Sequence, residues 1–376
     1  MKVEFYRHNV GEDEIESCVK VLQSLFLTTG SVVDDFESAL AEYLGTESVV
    51  GLTHCTGALQ LSLIAAGVKQ GDEVITTPMS FVATSHTICM AGATPVFVDV
   101  ERETGNIDAN LIEQAITKKT KAILPVHLYG QMVDMKKILA IGEKYNLHVI
   151  EDAAHALEAE RDGIRPGQKS FGACFSFYAT KAITSGEGGA FASNSAENAK
   201  KIRQLRSHGI TSEVAQRNRT GLHTYDIDRL GWKYNMDNIQ AGILLTQVGK
   251  INAIRQKRED VAQKYIAGFG GNPQIKIPKE YDGIVHGRHI FAIWVNPEKR
   301  NKILEYLNTN GVASVINYPA IHLFSYYREK FGFKDGMFPI AEEIGKREIT
   351  LPMYAKLTDE EIEYVIDTVK KAVSIS

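Results

Sequence analysis

The chain has 376 residues, 44% of them hydrophobic and 23% charged, with a formal net charge of −4. That profile is an ordinary globular protein, too long for one simple core and expected to form one large domain and a smaller one. The slight acidity, with no basic run or arginine-rich patch, argues against nucleic acid or an anionic membrane as a main partner.

The N-terminal stretch MKVEFYRHNVGEDEIESC has no long apolar run and no small-residue cleavage site, so it is not expected to be a secretory signal. No uninterrupted apolar run is long enough for a membrane-spanning helix. Cys18, Cys55, Cys89 and Cys174 lie far apart and form no CxxC pair. Disulfides and structural zinc are not expected, and a reducing cytoplasm fits.

Short β-branched runs then alternate with helix-like segments. ESVVGLTHC (47–55) precedes TGALQLSLIAAG (56–67), and DEVITTP (72–78) precedes SFVATSHTICMAG (80–92). TPVFVDV (94–100), KAILPVHLYG (121–130), LHVIEDAA (147–154), ACFSFYA (173–179) and GGAFASN (188–194) follow as strands. Helices are predicted at 109–120 and 134–146. This alternation predicts an α/β fold, a mostly parallel sheet sandwiched by helices. Residues 236–269 read as one long helix, ended by GGNPQ (270–274). Beyond it, 287–296, 301–310, 312–319 and 357–373 suggest a smaller α+β domain. The expected division is 1–250 and 251–376.

A sheet of this kind first suggests nucleotide binding, yet GxGxxG and GxxxxGK[ST] are both absent. THCTGALQ can hold phosphate, because a strand end feeding a helix start presents free backbone N–H groups and the positive end of a helix dipole. Many strand–helix junctions share that form. IEDAAHA (150–156) puts Asp152 at a strand's C-terminal end. An acid in an apolar setting must pair. It either caps the next segment or meets a heterocyclic nitrogen. Lys181 follows 29 residues later, inside FSFYATKAITSGEGG (175–189). A lysine, an acid, an aromatic face and a phosphate cradle are what pyridoxal phosphate needs.

These blocks resemble the DegT/DnrJ/StrS family of sugar aminotransferases, fold-type I pyridoxal-phosphate enzymes. GDEVITTPMSFVAT, AGATPVFVDV, TGNIDANLIEQAI, KAILPVHLYGQ, VIEDAAHA, FSFYATKAITSGEGG and GWKYNMDNIQAG carry the resemblance over nearly the whole chain. It implies pyridoxal 5'-phosphate as cofactor, Lys181 as the Schiff-base lysine and Asp152 as the partner of the pyridine nitrogen. It implies Phe81 stacked on the ring, Thr56, Gly57 and Ser176 as the phosphate cradle, and His155 beside the cofactor. Thr28, Thr29 and His322 match substrate positions, although His322 reads equally well as a loop histidine packed on Tyr326.

Two positions depart from the family pattern. Cys55 stands where the cradle often has glycine. Lys233 stands where GYNYRM-type members carry an asparagine that reaches the phosphate from the neighbouring subunit. A lysine can serve there as a point charge. The KYN variant, REKFG and LPMY are similar to UDP-4-keto-pentose aminotransferases of lipid A modification.

The resemblance implies a homodimer with shared sites, a nucleotide-linked 4-keto sugar as acceptor and the glutamate/2-oxoglutarate pair as donor and product. A 3-keto sugar or cyclitol ketone, and a non-catalytic regulator on the same fold, are the alternatives. His54 and His127 read as site-lining or as core histidines. The histidines of HGRH (286–289) read as structural or substrate-side, with no metal expected.

Overall fold

The computed structural model describes residues 1–211 and 225–375. Seven strands form the central sheet: β1 (Ser48–Leu52), β2 (Glu73–Thr76), β3 (Thr94–Phe97), β4 (Thr120–Leu124), β5 (His148–Asp152), β6 (Gly172–Ser176) and β7 (Gly189–Ser193). Their order is β1-β7-β6-β5-β4-β2-β3. Pairings from β3 through β6 are parallel, whereas β7 runs antiparallel to both β1 and β6. The reversal brings the start of β7 beside the ends of β1 and β6, with Gly189 opposite both Leu52 and Ser176.

Successive side chains enter opposite cores, as the two-residue strand period requires. Val49, Ala173 and Phe175 face α2 (Ser31–Leu44), α5 (Met135–Tyr145) and α7 (Asn238–Val248). Val50, Cys174 and Phe191 face α3 (Cys55–Ala65) and α6 (Ala196–Leu205). The remaining large-domain helices are α1 (Glu12–Leu22) and α4 (Ala83–Met90).

Two predicted helices are corrected. Residues 109–120 hold only a short 3-10 turn at Glu113–Ala115. The Asp108 carboxylate accepts the Asn110 amide at 2.9 Å, a local turn that competes with helix, and β4 already begins at Thr120. The long 236–269 helix is two helices, α7 and α8 (Ile251–Phe269). The break falls at Gly249 and Lys250, where Lys250 is drawn to Asp13 and Glu14 at the start of α1, both at 2.7 Å.

A second core gathers Tyr265, Phe269, Phe291, Ile293, Ile349 and Val365. It lies around α8, the antiparallel pair β8 (Phe291–Trp294) and β9 (Glu348–Leu351), α9 (Arg300–Thr309) and a last helix, Asp359–Ile375. Val3 joins this core and bridges Val312, so the first residues pack with the last third of the chain. Met79, Leu128, Tyr129, Ile290 and Trp294 pack the second core onto loops of the sheet. The cleft between them lies at the carboxyl ends of β5 and β6.

One buried ion cluster ties β1 to its helices. Glu37 accepts from Arg206 at 2.7 Å, from Arg203 at 2.9 Å and from the Gly51 amide at 2.8 Å. Burial pushes the Glu37 carboxyl up, but Arg206 and Arg203 outweigh it and hold the group below its ordinary range. Its stabilisation is therefore present above pH ~4.5 and lost as pH falls through the depressed folded value. Glu37→Ala leaves Arg206 buried without its carboxylate and is expected to cost about 3–5 kcal/mol in urea denaturation at neutral pH. A loss below about 1 kcal/mol would mean that Arg206 finds other partners.

Candidate active site

The cleft has a volume of about 730 Å³ and gathers Thr56, Phe81, Asp152, His155, Ser176 and Lys181 on one side. His289, Asn317 and Tyr318 close it from the other.

Lys181 stands on the loop between β6 and β7, and its small neighbours have a packing reason. The loop is pinched shut where the Phe177 amide donates to Gly188 O at 2.9 Å and the Thr184 hydroxyl donates to Phe177 O at 2.9 Å. Gln247 clamps Thr184 from α7, donating to its carbonyl at 2.8 Å and accepting its amide at 3.1 Å. Gly189 has no room for a side chain. A Cβ there would lie 2.3 Å from the His54 carbonyl carbon and 2.4 Å from the Cys55 nitrogen. Gly189, the last residue of GEGG, thus lets the start of α3 lie against the lysine loop. Burial pulls the Lys181 amine down to about 8, opposed by Cys55 and Asp152 nearby.

Asp152 ends β5. Its carboxylate accepts the Thr84 hydroxyl at 2.7 Å and the Ala154 amide at 3.1 Å, and Ser80 lies 2.8 Å from Thr84. Burial pushes the carboxyl above the ordinary aspartate range, against Thr84, the Ala154 amide and Lys181. The carboxylate is oriented by neutral donors, with no cation at hydrogen-bond distance among the described residues.

His155 is buried, with Nε2 3.2 Å from the Tyr318 hydroxyl and its ring 4.4 Å from that of His289. Burial and Lys181 hold it well below the ordinary histidine range, so it is neutral. Phe81 is 57% exposed at the cleft, 6.0 Å from the Tyr318 ring. Thr56 and Ser176 line the same end of the cleft. The Gly57 amide, however, already donates to His54 Nδ1 at 2.7 Å, which caps α3. His54 therefore lines the cleft and caps a helix at once. His127 is a core residue, fully buried and 2.8 Å from Glu151.

Besides Gly57, four expected site residues do not line this cleft. Thr28 is exposed and Thr29 donates to Met236 O at 2.6 Å, where Asn235 also donates to Thr29. Lys233 is exposed and pairs by backbone with Ser207. His322 is fully buried, 3.0 Å from Glu342 and packed on Phe338 and Phe333 rather than on Tyr326. Thr84 and Tyr318 join the site without being among the expected residues, and His289 takes the site-side of the two readings of HGRH. Thr84 lies within the MSFVAT block and Tyr318 within NYP, but sequence gives no sign of what either would touch. In HGRH, His286 accepts the Arg288 amide at 2.9 Å while His289 meets Lys181, so the two histidines share no site.

A mostly parallel sheet layered by helices, with a buried acid and a desolvated lysine facing one cleft, defines a fold-type I aminotransferase. The chain belongs to the DegT/DnrJ/EryC1/StrS aminotransferase family, whose model matches residues 8–370. An uncharacterized protein of Methanocaldococcus jannaschii is 41% identical over 374 residues, covering 98% of this chain and 97% of that protein. The spore coat polysaccharide biosynthesis protein SpsC of Bacillus subtilis is 35% identical over 97% of this chain and 95% of its own length. Among solved structures, Spr1654 of Streptococcus pneumoniae in its PMP form superposes with a TM-score of 0.94 at 32% identity, covering all of both chains. No helix among the described residues is long and apolar enough to cross a membrane.

Proposed function

We propose that this sugar aminotransferase uses pyridoxal 5'-phosphate to move the amino group of glutamate onto a nucleotide-linked 4-keto sugar. The observation that carries the reading is the convergence of Asp152 and Lys181 on one cleft. The residues fit the cofactor. Asp152 is a buried acid with no cation at hydrogen-bond distance among the described residues, and a protonated ring nitrogen would supply one. Phe81 is a large apolar ring left open to the cleft. Thr56 and Ser176 offer hydroxyls at its phosphate end. The KYN, REKFG and LPMY segments support the 4-keto reading.

When bound, pyridoxal phosphate supplies an electron sink for the electrons released when a C–H bond next to nitrogen breaks. Lys181 is the residue that would hold the group, through its side-chain amine. When free, its amine would be the base that takes and returns the proton. Desolvation favours that role, because it keeps a larger share of the amine neutral. Asp152, ionised, would keep a ring nitrogen in its charged form, while Thr84 and the Ala154 amide fix the carboxylate's direction.

Among the described residues lining the cleft, Lys181 is the one lysine or arginine. Phosphates and carboxylates need further cations, which supports a homodimer in which Lys233 of the partner subunit approaches the phosphate. Leu22, Leu25, Phe26 and Leu27 are exposed, Leu25 by 87%, next to Thr28 and Thr29. An apolar patch of this kind supports burial of that edge in the dimer, with both threonines near the shared sites. The four cysteines are free, which supports a cytoplasmic location. The division near residue 250 follows the start of α8.

Gly189→Ala is expected to move the start of α3 and weaken pyridoxal phosphate binding by about 5- to 150-fold, the effect of a strain of about 1–3 kcal/mol from overpacking, read by cofactor titration. Unchanged affinity would place the phosphate elsewhere. The test of function is the absorbance spectrum on adding glutamate and then a UDP-4-keto sugar. A band that shifts with glutamate and returns with the sugar supports the reading. Return only with a 3-keto sugar or an inosose would move the substrate, and a protein without a band would be a non-catalytic relative.

A further inference from the structure

We propose that His289 is the positioning residue of Lys181, a hydrogen-bond acceptor supplied by the second core that holds the amine at the cofactor's reacting carbon. This inference rests on the reading of Lys181 as the cofactor lysine.

Lys181 Nζ lies 3.1 Å from His289 Nε2, and both side chains line the cleft. A lysine side chain has four rotatable bonds, so an unanchored amine samples many positions that cannot react. His289 removes that freedom from outside the lysine's own loop.

The segment carrying His289 is held far more firmly than a strand entrance requires. Buried Arg258 of α8 donates to Arg288 O at 3.1 Å and to His289 O at 3.3 Å. Arg288 adopts a left-handed backbone with φ of 49°, a conformation unfavourable for a long side chain. It is kept there by both carboxylate oxygens of Glu259 and of Glu280. The Gly287 amide donates to Gly130 O at 2.8 Å, which ties the segment to the large domain.

The imidazole itself is confined. The His155 ring lies 4.4 Å away on one side, and Tyr318 in turn fixes His155. Buried beside Lys181, His155 and Arg258, the His289 ring stays neutral. A neutral ring whose proton sits on Nδ1 leaves Nε2 free to accept from the amine. The contact also makes the lysine's readiness depend on the second core being docked on the sheet.

The test separates holding the lysine from holding the site together. Full-length protein stripped of cofactor is mixed with pyridoxal phosphate. Capture is followed by absorbance as the Lys181 nitrogen joins the aldehyde carbon and one water leaves. Pyridoxamine phosphate has no aldehyde and makes no bond to the lysine, so its dissociation constant reports the rest of the site. His289→Phe is expected to slow capture by about tenfold or more while changing pyridoxamine phosphate affinity less than about twofold. His289→Gln, which keeps an acceptor, should recover most of the rate. If the phenylalanine variant does not fold, His289→Leu gives the same comparison with a smaller side chain. Capture at the wild-type rate overturns the proposal, and so does an equal loss of capture and of pyridoxamine phosphate binding. A wild-type protein that captures no pyridoxal phosphate, or a Lys181→Ala variant that captures it as well as wild type, overturns instead the reading of Lys181.

Discussion

Lys181→Ala is expected to lower kcat by about 10⁴-fold or more, because one residue serves as both covalent tether and proton carrier. The protein should still bind pyridoxamine phosphate, since Asp152, Phe81 and the hydroxyl end of the site are untouched. The base role carries a pH signature. Burial lowers the amine to about 8 in the cofactor-free chain. A step that needs the neutral amine therefore rises with pH and levels off above that value, and the variant should lose this limb. Stability moves the other way. The folded value lies below the unfolded one, so the folded state disfavours the charged lysine. Removing it should raise the melting temperature of the cofactor-free protein at neutral pH, with the gain fading as pH approaches the ordinary lysine value. Thermal melts at two pH values, beside steady-state rates, test both halves. Turnover within tenfold of wild type would sink the assignment of Lys181.

Asp152→Asn is the second large effect, expected to reduce kcat by about 10²–10³-fold. The amide is close in shape, and one oxygen can still accept from Thr84 or the Ala154 amide, so the end of β5 should not move. The charge that keeps a ring nitrogen protonated is gone. The loss should therefore fall on kcat more than on the KM for either substrate. Folding again gives an independent check. Burial raises the Asp152 carboxyl, so its ionised form costs stability above the ordinary aspartate pKa. The cofactor-free asparagine variant should melt higher than wild type at pH 7. A variant with normal kcat, or one that loses kcat only by unfolding, would remove Asp152 from the chemistry.

Much of the site was legible in linear order because its main residues fall inside compact blocks. Asp152 closes a buried strand, and an acid there must find a partner whatever the fold. Lys181 sits among small and aromatic residues that only a packed loop would use, and GEGG marks the close approach of another backbone. Phe81, Thr56, Ser176 and His155 belong to blocks of the same kind. His322 was less legible, since a loop histidine beside aromatic residues serves a substrate and a core equally well. The structure places it fully buried beside Glu342, Phe338 and Phe333, away from the cleft.

What the sequence by itself determined is the alternation of strands and helices, the placement of Asp152 at a strand end and of Lys181 in the segment between two strands, and the family. Each is written in short-range periodicity or in contiguous blocks. The tertiary structure alone decided which distant groups meet. Thr84 orients Asp152 from 68 residues away, and His289 reaches Lys181 across 108. It also decided that residues 236–269 break in two, because Lys250 answers charges on α1 that no local pattern contains. Hydrophobic periodicity records which side of an element is buried, but not which element lies against it. The partner of a buried lysine is therefore set only when the second core docks on the sheet.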